Sequence, residues 1–457
     1  MTTHKKGRAQ FATKFGVVAA AAGSAIGLGN IWKFPYITGV YGGAAFLFVY
    51  LGFITLIGLP VMLSELVIGR KSRKNAFGAF QKLAPGTIWR YIGVFGVGAA
   101  FLILSFYGVV AGWSIRYIFF AFSESFDSGA VEINNFFETF ITSPGKPILY
   151  QLIFMLLTGY IVYIGVQKGI ERYSKILMPI LLIIIVILDI RAVTLHGAGD
   201  GLRFLFKPDF TKLSYKGVLS ALGHAFFSLS LGMGTLITYG SYINKDNNLV
   251  KTSIEVTVAD TIIAVLAGIA IFPAVFAFNI EPDAGPGLIF KTLPNVFQHM
   301  PGGIFFSVLF FILLTIAALT SAISILEVVV AYFSEELKMK RHMATIFATL
   351  LTALLGIICS LSLGIFSGYT FFGYNVFDLL DHIASNIMLP LGGMFIAIFI
   401  GWIFGKFKVF KEIAHGGKLK GSFLSIFMFL VKFLAPIAIF IVFLTGSKIL
   451  NFIVDLF

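Results

Sequence analysis

Long apolar stretches separated by short polar segments dominate the chain. A helix needs about 20 apolar residues to cross a bilayer, and eleven stretches reach or approach that length. They cover residues 15–38, 44–68, 91–122, 148–166, 169–190, 217–243, 256–278, 304–333, 344–363, 374–404 and 423–445. The pattern predicts an all-α polytopic membrane protein with eleven transmembrane helices.

Composition supports this interpretation and excludes the soluble classes. Hydrophobic residues make up 58% of the 457 residues and charged residues only 12%, and the mean hydropathy is +0.94. A soluble fold cannot hide so much apolar surface, so the bilayer must be the solvent. We assign the net charge of +13 to loops and not to nucleic-acid binding. No group of Ser, His, Cys and acidic residues suggests an enzyme.

Basic residues concentrate in alternate loops. Arg70, Lys71 and Arg73 follow the second span, whereas Glu132 and Glu138 mark the loop after the third. Because basic loops stay in the cytoplasm, the N-terminus is predicted to be cytoplasmic. An odd number of spans then places the C-terminus outside the cell. We therefore expect a multi-pass protein of the plasma membrane.

Two spans are interrupted by closely spaced glycines, at 27–29 in the first span and at 232–234 in the sixth. Glycine-broken spans at corresponding positions of two halves indicate an inverted-repeat transporter with a cation and substrate site near the bilayer centre. The 23–27 glycine spacing alone would be explained more simply by helix packing. Polar residues at the breaks favour the transporter, namely Ser24, Asn30, Ser228 and Ser230.

One carboxylate is predicted to lie deep in a span. Asp260 follows Lys251 by nine residues, which carries it ~13 Å into the bilayer along a helix. Charges at that depth are costly and usually functional. We expect no Lys or Arg in the deep part of any span, so a bound cation is the simplest partner. The alternative is a protonated Asp260 that is hydrogen-bonded between helices.

Glu65 and Glu327 are the other acids that we expect within spans. A structural role is predicted for both, such as a hydrogen bond to backbone freed at the helix breaks. Thr320 and Ser321 lie near the middle of the eighth span. Such hydroxyls commonly bond their own helix, but beside unwound carbonyls they become candidate Na⁺ ligands.

Three segments resemble the neurotransmitter:sodium symporter family. They are GSAIGLGNIWKFP at 23–35, YGGAAF at 41–46 and GLPVMLSELVIGR at 58–70. The resemblance runs from about residue 8 to residue 402 and is nearest to bacterial eleven-helix amino-acid symporters. It implies a five-plus-five inverted-repeat fold with helices 1 and 6 broken. We expect one membrane domain, 1–457, with repeats at 12–192 and 213–405, followed by helix 11 and a short tail at 406–457.

The same resemblance implies two sodium sites. The first would comprise the Ala25 carbonyl, the side chains of Asn30, Ser228 and Asp260, and the substrate carboxylate. The second would use the carbonyls of Gly23, Ile26 and Ala317 with the hydroxyls of Thr320 and Ser321. Gly169 and Pro179 match a spacing whose unwinding is expected to let water reach the second site.

Substrate and gate residues carry over from the family in the same way. Tyr107 would bond the substrate carboxylate. The implied substrate site comprises Ser24, Ala25, Gly29, Ile103, Tyr107, Phe227, Ser228, Ser230, Gly232, Met233, Ser321, Ser324 and Ile325. The implied gates are Lys33 and Asp381 on the outside, and Arg8, Phe11, Tyr242 and Glu335 on the inside.

These residues predict sodium-coupled symport of a neutral L-amino acid into the cell by alternating access. We expect a large hydrophobic or aromatic substrate and no need for chloride, because Asp260 supplies the negative charge. Outward proton transport through Asp260 is a further hypothesis. Two alternatives stay open, a proton-coupled carrier of the same fold and a transport-dead amino-acid sensor. The expected partners are the amino acid and the lipid bilayer, without nucleic acid, and a homodimer stays open.

Overall fold

The computed structural model describes residues 8–123, 126, 129–278, 287–414 and 421–447. In chain order its helices are α1 (Lys14–Ala25), α2 (Gly29–Val40), α3 (Ala44–Ser72), α4 (Ala76–Leu83), α5 (Arg90–Phe120), α6 (Ala130–Thr142), α7 (Lys146–Ile164), α8 (Val166–Val193), α9 (Ala198–Phe206), α10 (Tyr215–Ser228), α11 (Thr235–Gly240), α12 (Leu249–Ala277), α13 (Leu293–Gln298), α14 (Gly303–Glu335), α15 (Arg341–Leu361), α16 (Val376–Phe404), α17 (Lys406–Ile413) and α18 (Gly421–Gly446). The described residues contain no strand beyond an isolated bridge between Phe371 and Tyr374.

Within these ranges, nine continuous helices are long and apolar enough to cross a membrane, namely α3, α5, α7, α8, α12, α14, α15, α16 and α18. The pair α1 and α2 forms a tenth span that bends by 50° at its break. The sixth predicted span is divided into α10, with 14 residues, and α11, with 6. The all-helical fold with broken helices 1 and 6 is therefore confirmed.

The second break depends on residues with left-handed backbone. Ser230, Gly232 and Gly234 have φ angles of 54°, 80° and 76° between α10 and α11. Glycine adopts this conformation without the steric cost that a Cβ atom adds. Ser230 bears that cost, and its hydroxyl bonds across to the first break through the Ser24 carbonyl at 2.8 Å. The two breaks are thereby joined.

The breaks lie in the centre of the bundle. The most apolar windows of α5 and α14 are each 72% buried, against 28% for α18. α14 packs extensively against α5, and α1 packs against α8, α12 and α14. Because both broken spans are surrounded by other helices, their free backbone groups face protein and not lipid.

The region predicted as helix 11 and a short tail, 406–457, contains α17 and α18. Residues 415–420 and 448–457, which include the predicted C-terminal tail, lie outside the described residues. The short helix α17 is anchored through Glu412, whose carboxylate pairs with Arg70 at 3.3 Å and Lys71 at 3.1 Å. The division into repeats at 12–192 and 213–405 stays a prediction.

Candidate substrate and sodium site

Asp260 on α12 is fully buried and lies at the centre of a polar network. Ser228 Oγ donates to its two carboxylate oxygens at 2.8 and 3.0 Å, and Asn30 Nδ2 donates to Oδ1 at 2.8 Å. The ion pairs of the described residues do not include Asp260. Its negative charge is therefore held by neutral donors only, which leaves it able to attract a small cation.

Three side chains of the predicted first sodium site thus meet. Asn30 is the second residue of α2, directly after the first break, and its Oδ1 accepts from Gly27 N at 3.2 Å. Ser228 is the last residue of α10. The backbone breaks therefore bring α2, α10 and α12 to one point. The fourth predicted ligand, the Ala25 carbonyl, belongs to the last turn of α1.

Tyr50 is a member of this network that sequence reasoning missed. Its hydroxyl lies 3.2 Å from Ser228 Oγ and 3.5 Å from Asp260 Oδ2. The His224 ring lies 5.3 Å from the Tyr50 ring and 5.9 Å from Phe34. The sequence does contain an indication of this contact, because Tyr50 is a tyrosine in the otherwise apolar half of α3. A buried phenol hydroxyl usually needs a polar partner.

Serine hydroxyls join the first break to α14. Ser230 Oγ and Ser321 Oγ both donate to the Ser24 carbonyl, at 2.8 and 3.1 Å. Ser324 Oγ lies 2.8 Å from Ser24 Oγ. These four predicted substrate-site residues are therefore in mutual contact, and their roles stay predictions.

Little free space remains around the first break, between Gly27 and Gly29. A Cβ on Gly27 would lie 2.8 Å from the Tyr107 hydroxyl and 3.0 Å from Ser321 Cβ. The Tyr107 hydroxyl accepts from Leu28 N at 3.1 Å. A Cβ on Gly29 would lie 3.3 Å from the Phe227 ring. The other predicted substrate-site residues Ala25, Ile103, Met233 and Ile325 are all buried.

The predicted second sodium site lies where α1 packs against α14. A Cβ on Gly23 would lie 3.2 Å from Thr320 Cβ and 3.4 Å from Met178 Sδ. Thr320 Oγ1 donates to the Ala317 carbonyl at 3.1 Å. Gly23, Ala317 and Thr320 are thus neighbours, while Ile26 follows the last residue of α1 as its C-cap. Met178, next to Pro179, places α8 directly beside this site.

The outer end contains a cavity of about 130 Å³ with Lys33 and Asp381 in its wall. Tyr107 and Phe227 also line it. The Lys33 ammonium lies over the Phe227 ring at 4.4 Å, and Asp381 accepts from Ser385 Oγ at 2.7 Å. The predicted outer ion pair is not among those of the described residues. The Lys33 ammonium contacts the Phe227 ring instead. A lysine ammonium is a flexible point charge, and it lacks the planar guanidinium by which arginine binds a carboxylate through two parallel hydrogen bonds.

The inner end brings all four predicted gate residues together. Arg8 forms an ion pair with Glu335 and lies over the Tyr242 ring at 4.7 Å. Phe11 N donates to the Tyr242 carbonyl at 3.1 Å, and the two rings lie 6.0 Å apart. Burial and the charge of Arg8 lower the pKa of nearby Arg73, although a guanidinium stays charged.

The two other predicted acids have different outcomes. Glu65 Oε1 accepts from the Gly232 amide at 2.8 Å, so the expected bond to freed backbone is present. Glu327 bonds side chains of other elements and not freed backbone, and its predicted structural role stays a prediction. Arg341 binds it through both carboxylate oxygens at 2.9 and 2.7 Å, and the Tyr242 hydroxyl donates to it at 2.6 Å. Arg341 is the first residue of α15.

Three further charged groups were missed. Glu171 on α8 is buried and binds the start of α1, through Ala12 N at 2.7 Å and Thr13 Oγ1 at 2.8 Å. Asp189 is 8% exposed, and its oxygens have no hydrogen-bond partner among the described residues. Lys432 lies in the middle of α18, so the expectation that no cation occupies a deep position was wrong.

Comparison with known proteins identifies the family to which the chain belongs. A sequence model of the Sodium:neurotransmitter symporter family matches residues 8–139 and 126–453. The chain belongs to this family. The uncharacterized sodium-dependent transporter YhdH of Bacillus subtilis is 41% identical over 97% of this chain and 98% of its own length. An uncharacterized sodium-dependent transporter of Haemophilus influenzae is 39% identical over 98% and 100%.

A solved structure is similar over almost the whole chain. MhsT in complex with L-phenylalanine shares 49% sequence identity with a TM-score of 0.89, covering 96% of this chain and 100% of MhsT. The sodium:neurotransmitter symporters are secondary transporters and not enzymes. The protein is therefore a sodium-dependent symporter of the inverted-repeat transporter fold.

Proposed function

We propose that this symporter carries a large hydrophobic or aromatic L-amino acid into the cell together with two sodium ions, without chloride. It would lie in the plasma membrane with a cytoplasmic N-terminus, as the loop charges indicate. The observation that carries the proposal is the buried Asp260 carboxylate, which has neutral donors around it and no cationic side chain in the described ion pairs.

Asp260 supports both the sodium and the chloride parts of the proposal. A carboxylate with Asn30 and Ser228 beside it offers hard oxygens, which suit Na⁺ where they replace hydration water. The same fixed negative charge balances a bound cation, so that no external anion is needed. The second ion is proposed for Gly23, Ile26, Ala317, Thr320 and Ser321.

The substrate class is supported by the walls of the outer cavity. Its lining includes Trp32, Phe106, Val110 and Phe227, together with Tyr107. Such a surface stabilises an apolar side chain, while the Tyr107 hydroxyl and a bound sodium ion would hold the carboxylate. L-Phenylalanine bound to the similar MhsT points to the same class of substrate.

The two ends of the proposed pathway support alternating access. Arg8 and Glu335 form an ion pair at the inner end, while Lys33 and Asp381 line a cavity at the outer end. Sodium and substrate would enter from the cavity, and closure of the outer end would precede opening of the inner one. Each sodium charge crossing 100 mV contributes about 2.3 kcal/mol, so two ions would concentrate substrate strongly.

Uptake by the purified protein in proteoliposomes tests the proposal. We expect accumulation of phenylalanine, tyrosine, tryptophan, leucine or methionine under a sodium gradient, unchanged when gluconate replaces chloride. Asp260→Asn should weaken sodium-dependent binding by about tenfold or more, as expected for losing charge-assisted interactions worth about 1.5–3 kcal/mol. Asp200→Asn, at an exposed position between α8 and α10, is the matched control.

Each alternative gives a different result. Uptake that persists without sodium under a pH gradient would favour a proton-coupled carrier. Sodium-dependent binding without uptake would indicate a sensor. A steep rise of uptake with chloride at constant sodium would disprove the role of Asp260 as the internal anion. Uptake restricted to small or charged amino acids would overturn the substrate class.

A further inference from the structure

Lys432 is an ammonium group in the interior of a peripheral span. It lies 11 residues after the first residue of α18 and 14 before the last, or about 16 and 21 Å along the helix. α18 is the least buried of the nine continuous spans in the described ranges. A lysine at this depth on a lipid-facing helix is costly, and its position calls for a partner.

Residues of the neighbouring helix α16 are in close contact with this lysine. The Lys432 ammonium lies 3.9 Å from the centre of the Trp402 ring and 5.5 Å from that of Phe433. Trp402 Nε1 donates to the Lys432 carbonyl at 3.2 Å. A Cβ on Gly401 would lie 2.9 Å from Lys432 Cα, so glycine permits the close approach of α16 and α18. Both helices have π-helical turns at this contact.

A second lysine lies on the same side of this contact. Lys406 Nζ bonds Ser425 Oγ at 3.4 Å, and Ser425 precedes Lys432 by seven residues on the same helix face, about 10 Å along the axis. Side chains of a helix point towards its N-terminus. The Lys432 ammonium therefore extends towards Lys406 and the end of α16, where Trp402 lies two residues before the last residue, Phe404.

No carboxylate compensates these two charges among the described ion pairs. The acid of α17, Glu412, is already paired with Arg70 and Lys71. Trp402 is 55% exposed and Phe433 43% exposed. An exposed aromatic side chain near the end of α16, with one lysine on either side, is a surface that fits a negatively charged lipid headgroup with its acyl chains along the helices.

We propose that the groove between α16 and α18 binds one anionic phospholipid, in the leaflet on the side of α17. Its phosphate lies between the ammonium groups of Lys406 and Lys432, and an acyl chain packs against Trp402 and Phe433. The charge of the lipid compensates both lysines, which neutral lipid cannot do. No residue of the sodium or substrate site takes part.

Native mass spectrometry of the full chain in detergent tests this site. Phosphatidylglycerol and phosphatidylcholine with identical acyl chains are offered at equal concentration. We expect preferential retention of phosphatidylglycerol, reduced about fivefold by Lys432→Met and about fivefold by Lys406→Met, as expected for one basic contact each. Lys340→Met, at an exposed lysine on the same side, should retain the wild-type preference.

A second measurement uses Trp402 itself. Phosphatidylglycerol with brominated acyl chains should quench its fluorescence, obtained as the difference between wild type and Trp402→Phe, more than brominated phosphatidylcholine does. Where Lys432→Met fails to fold, Lys432→Arg should keep the preference and Lys406→Met should lose it. Equal retention of the two lipids by the wild type, an unchanged preference in both lysine variants, or an equal loss in Lys340→Met would each overturn the proposal.

Discussion

The inner and outer ends of the pathway are built from different interactions. At the inner end Arg8 pairs with Glu335, and Glu327 is bound by Arg341 and Tyr242. At the outer end Lys33 lies on an aromatic ring, and Asp381 bonds a serine. The inner end is thus held by guanidinium–carboxylate pairs with added hydrogen bonds, the stronger class of polar contact. The outer end has one ammonium group over an aromatic ring and no ion pair between its two predicted gate residues, which fits the proposal that substrate enters there.

The inner and outer ends also differ in how closely their side chains are packed. Lys33 lies in the walls of two cavities, of about 130 and about 490 Å³. The larger one also has Lys216 and Asn386 in its wall. Phe11 at the inner end is 2% exposed and packs against Tyr239 and Tyr242. One conformation therefore has a closely packed end and an end with cavities, an asymmetry that fits the alternating access proposed above.

Removal of the Glu327 charge should have the largest effect on the difference between the inner and outer ends. Glu327→Gln leaves the Arg341 guanidinium without its buried partner, and breaking such a pair costs about 3–5 kcal/mol. We expect a clearly lower apparent melting temperature in detergent and a leaky inner end. Thermal unfolding followed by tryptophan fluorescence measures the first effect.

A double variant separates charge from packing. Glu327→Gln with Arg341→Met removes both charges and should recover much of the lost stability, because no lone buried charge remains. Glu336→Gln is the control, since that partly exposed carboxylate accepts one bond from Asn75. A melting temperature of Glu327→Gln equal to that of the wild type would show that the pair does not hold the inner end.

Glu171 provides an intermediate test. Its carboxylate accepts from two backbone amides and one hydroxyl at the start of α1. Glu171→Gln should weaken this attachment by about 1.5–3 kcal/mol, since hydrogen bonds to charged groups have that strength. Hydrogen exchange of amides near residues 12–16 should then speed up by about tenfold or more. Lys175→Gln, which leaves these bonds intact, should exchange as the wild type does.

Lys33→Arg should have the smallest effect and should make the two ends more alike. A guanidinium can pair with Asp381 through two parallel bonds. Partly exposed pairs contribute about 0.2–1 kcal/mol, so bound substrate should dissociate up to about fivefold more slowly. Radiolabelled amino-acid release measures this rate. Lys33→Gln should show no such slowing, and equal rates for all three proteins would count against an outer gate at this position.

The family motifs at 23–35 and 58–70 identified the class of protein because they are local in the sequence. Glycine at 27–29 and 232–234 predicted both breaks, since backbone conformation is set by a few neighbouring residues. The depth of Asp260 in its span led to the prediction that it is functional. Such reasoning could not give the partners of Glu327 and Lys33, because the partner of a charge is not encoded near it.

The sequence by itself thus determined the helical membrane fold, the two breaks and the acid at their meeting point. The apolar length of a span and its glycines are sufficient for that, because the bilayer forces every span to satisfy its own backbone. Only the tertiary structure decided that Tyr50 joins Asp260, that Arg341 binds Glu327 and that Lys432 lies against Trp402. Each of these contacts joins two different spans. All three depend on how the helices pack together, and no local sequence pattern specifies that packing.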